Sequence, residues 1–273
     1  MRCHGRSGGA VFLRRTSVAI GAFGVAAVIL AGPCLQVVRA ETQKTYQTDA
    51  PAMPATAVRT EIVASGLEHP WALQFLPDGR FLVTERPGRI RIVTRAGRLS
   101  KPLPGVPDVA ATGQGGLLDV ALAPDFTSTG VIYFTFSEAR GGVRTNGTSL
   151  ARARLSLAPG RERLEDVAVI FRQEPAGRSG LHFGSRIVFD RGGRVFVTLG
   201  ERYQMQFAQD LGRHWGKIVR LERDGRPADG NPFAGQVGAK PEIWSYGHRN
   251  AQGAAFNPAS GQLWVVEHGP RGG

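Results

Sequence analysis

Hairpin-like repeats with Pro, Asp and Gly at their turns, and no amphipathic helix of useful length between them, predict an all-β fold of the β-propeller kind. In the first repeat, residues 71–86 read as a strand, a Pro77-Asp78-Gly79 turn and a second strand. Residues 118–136 repeat the unit with a longer turn, 187–199 repeat it around Asp190-Arg191-Gly192-Gly193, and 253–266 repeat it around Asn257-Pro258. The turns near Asp78, Asp125, Asp190 and Pro258 are spaced by 47, 65 and 68 residues, which leaves room in each repeat for further strands such as 90–94 and 150–155. Four-stranded sheets at this period build propeller blades, whereas a β-sandwich does not explain the repeated turn chemistry.

Taken in order, the first 40 residues read as an export leader. Arg2, Arg6, Arg14 and Arg15 form a basic start, residues 17–31 are apolar, and Val38-Arg39-Ala40 ends on the small residues a signal peptidase reads. The apolar run falls short of the about 20 residues that span a bilayer, so no stable membrane insertion is expected. Arg14-Arg15 resembles a twin-arginine signal, with general secretion open as the other route, and the expected location is periplasmic. Cys3 and Cys34 leave with the leader, so the 233 residues that remain of 273 carry no thiol chemistry. The net charge falls from +12 to +7 with the five leader arginines, a balance that suits an anionic ligand, a membrane surface or simple solubility. No Lys/Arg stripe interleaved with aromatics marks a nucleic-acid surface. Residues 41–57, rich in Thr, Ala and Pro, read as a flexible lead-in.

The propeller is expected over residues 58–273. A propeller must close its ring to protect its blade edges, so four units ending at Glu267-His-Gly-Pro-Arg-Gly-Gly273 read as a truncated sequence.

Chemistry concentrates at the ends of the strands. His182 stands before the third hairpin between Gly180 and Gly184, which leave room for another molecule near the backbone. Its imidazole titrates near neutral pH in the ordinary case and can serve as a base, although a hydrogen-bonded histidine at a blade end fits the same position. Gln114 lies in the glycine-rich lead to the second unit, Thr112-Gly-Gln-Gly-Gly116. Arg249 and Asn250 put a fixed positive charge beside an amide, a pair suited to holding a carbonyl or an oxyanion; the alternative is an arginine that ties blades together. Glu267-His268-Gly269-Pro270 closes the fourth unit with an exposed turn.

The segments Gly113-Gln-Gly-Gly-Leu-Leu-Asp-Val120, Leu181-His-Phe-Gly-Ser-Arg186, Gln209-Asp-Leu211, Gly216-Lys-Ile-Val-Arg220, Pro241-Glu-Ile-Trp-Ser-Tyr-Gly-His-Arg-Asn250 and 267–273 occur in this order. Together they resemble the soluble periplasmic aldose sugar dehydrogenases of the pyrroloquinoline-quinone-dependent glucose/sorbosone dehydrogenase family. The resemblance implies a six-bladed propeller of which roughly four blades are present. It implies that His182 is the general base on the sugar's anomeric hydroxyl, that Gln114 contacts the same sugar oxygen, and that Arg249 and Asn250 lie against the quinone oxygens. It further implies that the carbonyls of Gly269 and Pro270 hold a calcium ion, and that aldoses are oxidised to lactones with electrons passed to an external acceptor.

Leu181 departs from the glucose-specialised branch, which has an aspartate there, so broad aldose use with weak affinity is expected. The family's lysine and arginines for the cofactor carboxylates correspond to positions beyond residue 273. A competing class is a calcium-dependent propeller lactonase or esterase, or a propeller that only binds partners. The hydrolase would need convergent carboxylates, and none is expected beside His182, Gln114, Arg249 and Asn250.

Overall fold

The structure, a computed structural model, describes residues 58–141 and 144–269. The expected leader and lead-in, both cysteines and Pro270 lie outside the described residues.

Turn chemistry starts each sheet. Gly79 adopts a left-handed φ of 82° and its N–H donates to Leu76 O, while Asp78 Oδ1 accepts the Arg80 N–H at 2.9 Å. The chain therefore reverses between β1 (Pro70–Phe75) and β2 (Phe81–Glu85), and β3 (Arg89–Val93) completes a first antiparallel sheet. The second sheet runs β4 (Leu117–Leu122), β5 (Val131–Ala139), β6 (Asn146–Ser156) and β7 (Arg163–Arg172), with one turn of helix, α1 (Phe126–Thr129), inside its first connection. The third runs β8 (Ile187–Phe189), β9 (Val195–Leu199), β10 (Lys217–Leu221) and β11 (Ile243–Tyr246). A fourth sheet pairs β12 (Ala251–Phe256) with β13 (Leu263–Glu267). All four predicted hairpins are present. Two expected four-stranded units differ: among the described residues the first sheet has three strands and the last has two.

Successive first strands lie side by side, β1 against β4, β4 against β8 and β8 against β12, which is the radial order of propeller blades. The period-2 alternation of β5 explains how one sheet fills two cores. Ile132, Phe134 and Phe136 face the first sheet, with Leu82, Ile90 and Leu117. Tyr133 faces the third, with Val195, Val197 and Val219. Each such aliphatic or aromatic side chain contributes roughly 1.5–3 kcal/mol by leaving water, so these inter-sheet layers dominate the stabilisation.

A buried threonine repeats on the second strand of three sheets. Thr84 Oγ1 accepts the N–H of Ala72 and donates to Leu118 O at 2.6 Å. Thr135 accepts from Asp119 N and donates to Ser185 O at 2.8 Å; Thr198 accepts from Arg186 N and donates to Ala251 O at 2.7 Å. Each hydroxyl thus takes a proton donor from its own sheet and gives one to the next. The arrangement satisfies polar groups that burial would otherwise penalise.

The outer edge of the second sheet carries an ion cluster. Glu138 accepts from Arg140 Nε and Arg172 Nε, both at 2.9 Å, and from Ser149 Oγ at 2.6 Å. Burial alone would raise its pKa, but the bonds from Arg172, Ser149 and Arg140 outweigh burial and hold it at about 2. A carboxyl whose folded pKa lies below its unfolded value stabilises the fold above the unfolded pKa and loses that contribution as pH falls. The thermal midpoint of wild type should therefore drop more steeply than that of Glu138→Gln between about pH 4.5 and 2. Parallel melting curves in that window would show that the cluster contributes nothing.

No helix among the described residues is long and apolar enough to cross a membrane.

Candidate active site

The third hairpin builds the site from its own register. Ile187 pairs with Val197 and Phe189 with Val195. Continued beyond the strands, that register would set Glu201 opposite Phe183; Arg186 and Ser185 both bond to Thr198, and this one-residue irregularity brings Glu201 beside His182. Glycine is required there: a Cβ on Gly184 would lie 2.7 Å from Thr198 O, and its φ is 64°. This corrects the reading that Gly180 and Gly184 make room for another molecule. Gly184 admits the chain's own β9 backbone, and Gly180 packs against Gly113, whose own Cβ would lie 2.3 Å from Gly180 O.

His182 is buried and held at a φ of 52°. Its Nδ1 lies 2.6 Å from Glu201 Oε1. A carboxylate only accepts, so Nδ1 carries a proton, and in the neutral imidazole Nε2 presents its lone pair. Nε2 has no hydrogen-bond partner among the described residues. Glu201 is itself anchored: Oε2 accepts the Gln204 N–H at 2.6 Å, and its own N–H donates to Arg249 O at 2.9 Å. The sequence reading assigned Glu201 no role, and the unbroken hairpin register would have placed it one residue away, opposite Phe183.

The other expected residues converge on this pair. Gln114 Oε1 accepts the His182 N–H at 2.9 Å, and the Gln114 N–H donates to Gly180 O at 2.7 Å, so the residue first serves to lock the histidine's backbone. The two amide protons of Gln114 remain as donors on an exposed side chain. Asn250 Oδ1 accepts the Gly184 N–H at 3.0 Å, which leaves the Asn250 amide nitrogen as the group it can offer a ligand. Arg249 Nη1 donates to His268 O at 3.0 Å, and Glu267 Oε2 accepts the N–H groups of both Arg249 and Asn250. Arg249 therefore ties the start of β12 to the end of β13 while its guanidinium stays at the rim.

Two carboxylates, Glu201 and Glu267, thus stand where none was expected. Both are committed, one to the imidazole and one to backbone N–H groups. Among the described residues no three of His, Cys, Asp and Glu gather to hold a metal ion. Of the two expected calcium ligands, Gly269 is described and Pro270 is not.

Beside the pair opens a cleft of about 510 Å³, lined among others by Glu201, Tyr203, Met205, Gln209, His248 and Arg249. Its lining is mostly apolar with one guanidinium at the edge, which fits a flat anionic ring system better than a hydrated ion. Two larger clefts, about 710 and 740 Å³, include none of these residues. Buried Lys217 supports the cleft from beneath, its Nζ donating to the carbonyls of Phe207, Ala208 and Trp215. Burial draws that amine down to about 8. Burial also pushes His248 below the ordinary imidazole value, and its Nε2 lies 2.9 Å from Ser245 Oγ.

Backbone strain gathers here. Seven non-glycine residues among those described have positive φ, and four of them, His182, Ser185, Arg202 and Tyr203, surround the pair. Such conformations cost on the order of 1–3 kcal/mol each and persist where surrounding contacts impose them.

Residues 67–273 match the Glucose / Sorbosone dehydrogenase family. The chain is 50% identical over 223 residues to the aldose sugar dehydrogenase YliI of Escherichia coli (strain K12), covering 81% of this chain and 59% of that protein. It is similar in structure to the soluble aldose sugar dehydrogenase of Escherichia coli in the apo-form, with a TM-score of 0.74 at 49% identity over 78% of this chain and 61% of that one. The PQQ-bound form of an aldose sugar dehydrogenase from Streptomyces coelicolor gives a TM-score of 0.67 at 35% identity, over 77% and 59%. The chain spans 59–61% of the length of these relatives.

Proposed function

The chain belongs to the Glucose / Sorbosone dehydrogenase family, and on that premise we propose that the protein oxidises aldoses at the anomeric carbon to lactones. The proposed cofactor is pyrroloquinoline quinone with calcium, and an external acceptor takes the electrons. The observation that carries this reading is the buried His182–Glu201 pair, 2.6 Å apart, with the imidazole Nε2 unengaged and with Glu201 and Tyr203, which flank the imidazole, lining the cleft.

In this mechanism Nε2 of His182 takes the proton of the anomeric hydroxyl as hydride leaves the anomeric carbon. Glu201 holds the Nδ1 proton and stabilises the imidazolium that results, because its charge lies in a poorly solvated place. Gln114 keeps the base from drifting by holding its N–H, and its free amide protons can hold the same sugar oxygen. Arg249 and the amide nitrogen of Asn250 would hold the quinone oxygens. When bound, pyrroloquinoline quinone supplies the two-electron acceptor for the hydride. Leu181, half-exposed beside the base, offers a sugar hydroxyl no hydrogen bond, which supports broad aldose use.

Reconstitution tests the reading. Protein stripped of metal and cofactor should reduce an artificial dye with aldoses only after calcium and pyrroloquinoline quinone are restored together, and nicotinamide nucleotides should not substitute. Equal rates from the stripped protein, or none with both restored, would refute it.

A further inference from the structure

Tyr203 is an exposed aromatic residue that the chain holds in place at a backbone cost. Its φ is 58°, that of Arg202 before it is 57°, and the residue keeps 66% of its accessible surface. Both neighbours are pinned. Arg202 is wholly buried: its Nε donates to Leu181 O at 3.1 Å, its Nη1 to Asn146 O at 3.3 Å, and its Nη2 to Asn146 Oδ1 at 2.6 Å and to Ser179 O, while its guanidinium lies over the Phe183 ring. Gln204 donates its N–H to the Glu201 carboxylate. The ring between them meets the His182 imidazole edge-on, with centroids 5.5 Å apart, and borders the cleft. A tyrosine that needed only burial would not be left exposed on a strained, doubly anchored turn.

We propose that Tyr203 is the platform on which the aldose ring lies while His182 reaches its anomeric hydroxyl. A pyranose has one face of C–H bonds and a rim of hydroxyls. An aromatic face takes the first, and the polar groups around His182 take the second. The proposal rests on the aldose reading above and adds the residue that selects the sugar's ring. Because the platform is apolar, it discriminates by ring size and by axial substituents on the stacked face, and not by hydrogen bonds to particular hydroxyls.

Tyr203→Ala and Tyr203→Phe in the reconstituted holoprotein test it. Ala, Phe and Tyr bear the same penalty at positive φ, so the comparison isolates the ring. Tyr203→Ala should raise KM for hexoses roughly three- to tenfold. Its affinity for pyrroloquinoline quinone, measured without sugar by fluorescence titration, should fall by less than KM rises, since the ring borders the cleft but its proposed partner is the sugar. Tyr203→Phe should match wild type. Tyr203→Gly relaxes the backbone while removing the ring, so it should show the same rise in KM with a melting temperature no lower than wild type. An unchanged KM in Tyr203→Ala, or a loss of cofactor affinity as large as the rise in KM, overturns the proposal. So does a Tyr203→Phe variant as impaired as Tyr203→Ala. Wild-type holoprotein that oxidises no aldose would bring down the aldose reading itself, an outcome separate from a wild-type enzyme insensitive to position 203.

Discussion

Replacing His182 by alanine is expected to lower turnover by about a hundredfold to ten-thousandfold at saturating cofactor, the usual cost of losing a general base. Cofactor affinity should change little, since in the proposed mechanism the imidazole acts on the sugar. Arg249→Ala should instead weaken cofactor binding and slow the reaction together, because its charge stands at the cleft's rim. The geometry sharpens the test, because His182 has a carboxylate behind it. Glu201→Gln keeps the shape but replaces an acceptor-only group with one that can donate, so the imidazole can turn to the wrong tautomer. That variant should lose turnover with KM nearly unchanged. A histidine that merely held the blade would behave otherwise: its removal would lower the unfolding free energy by about 1–3 kcal/mol and leave activity per folded molecule intact.

The largest effect on stability is expected from Asp119→Ala. Asp119 Oδ1 accepts from Arg186 Nη1 and Oδ2 from the Ile187 N–H, both at 2.7 Å. Arg186 also donates to Gln252 O at 3.0 Å and lies over the Trp71 ring, so this one ion pair touches all four sheets. Removing one partner of a buried pair costs about 3–5 kcal/mol, and the partial exposure of Arg186 favours the lower figure. The pH dependence has a definite sign. Burial raises the Asp119 pKa to about 6 against the opposing pull of Arg186 and the Ile187 N–H. A carboxyl with a raised folded pKa stabilises most when protonated and contributes less as pH climbs through that value. The stability difference between wild type and Asp119→Ala in denaturant titrations should therefore shrink between about pH 4 and pH 6. A difference below about 1 kcal/mol at every pH would show that Arg186 finds equivalent partners without it.

Legibility followed the kind of signal each element left. Hairpins such as Ile187–Phe189 with Val195–Leu199 were plain because β-branched and aromatic runs flank a glycine turn. Arg163–Arg172 was missed because an outer strand shows charge on its exposed face, and Arg-Leu-Glu-Asp alternation does not read as buried sheet. Lys217–Leu221 and Ile243–Tyr246 were noticed only as motif segments: the first is buried on both faces and lacks alternation, and the second is a four-residue edge strand with Trp244 and Tyr246 exposed. At the site, His182, Gln114, Arg249 and Asn250 were legible as residue types, and the structure brings them together. Glu201 was not legible, because it reaches His182 through the irregularity at Ser185 and Arg186, which no local residue pattern announces. The left-handed turn at Arg202 and Tyr203 left no trace, because neither residue favours that conformation and contacts from other segments impose it.

The three threonine hydroxyls have a consequence for tolerance. Gln114 comes from the second sheet's approach, His182 from the third's and Asn250 from the fourth's, so the distances among them are sums over separate bodies. Each hydroxyl references one body to its predecessor, with an offset set by a bond of 2.6–2.8 Å. Alignment is thus inherited down a chain of datum points, and an error at Thr135 is carried into every distance measured from Gln114. The accuracy of the proposed site's geometry is held in hydroxyl groups that touch none of its members.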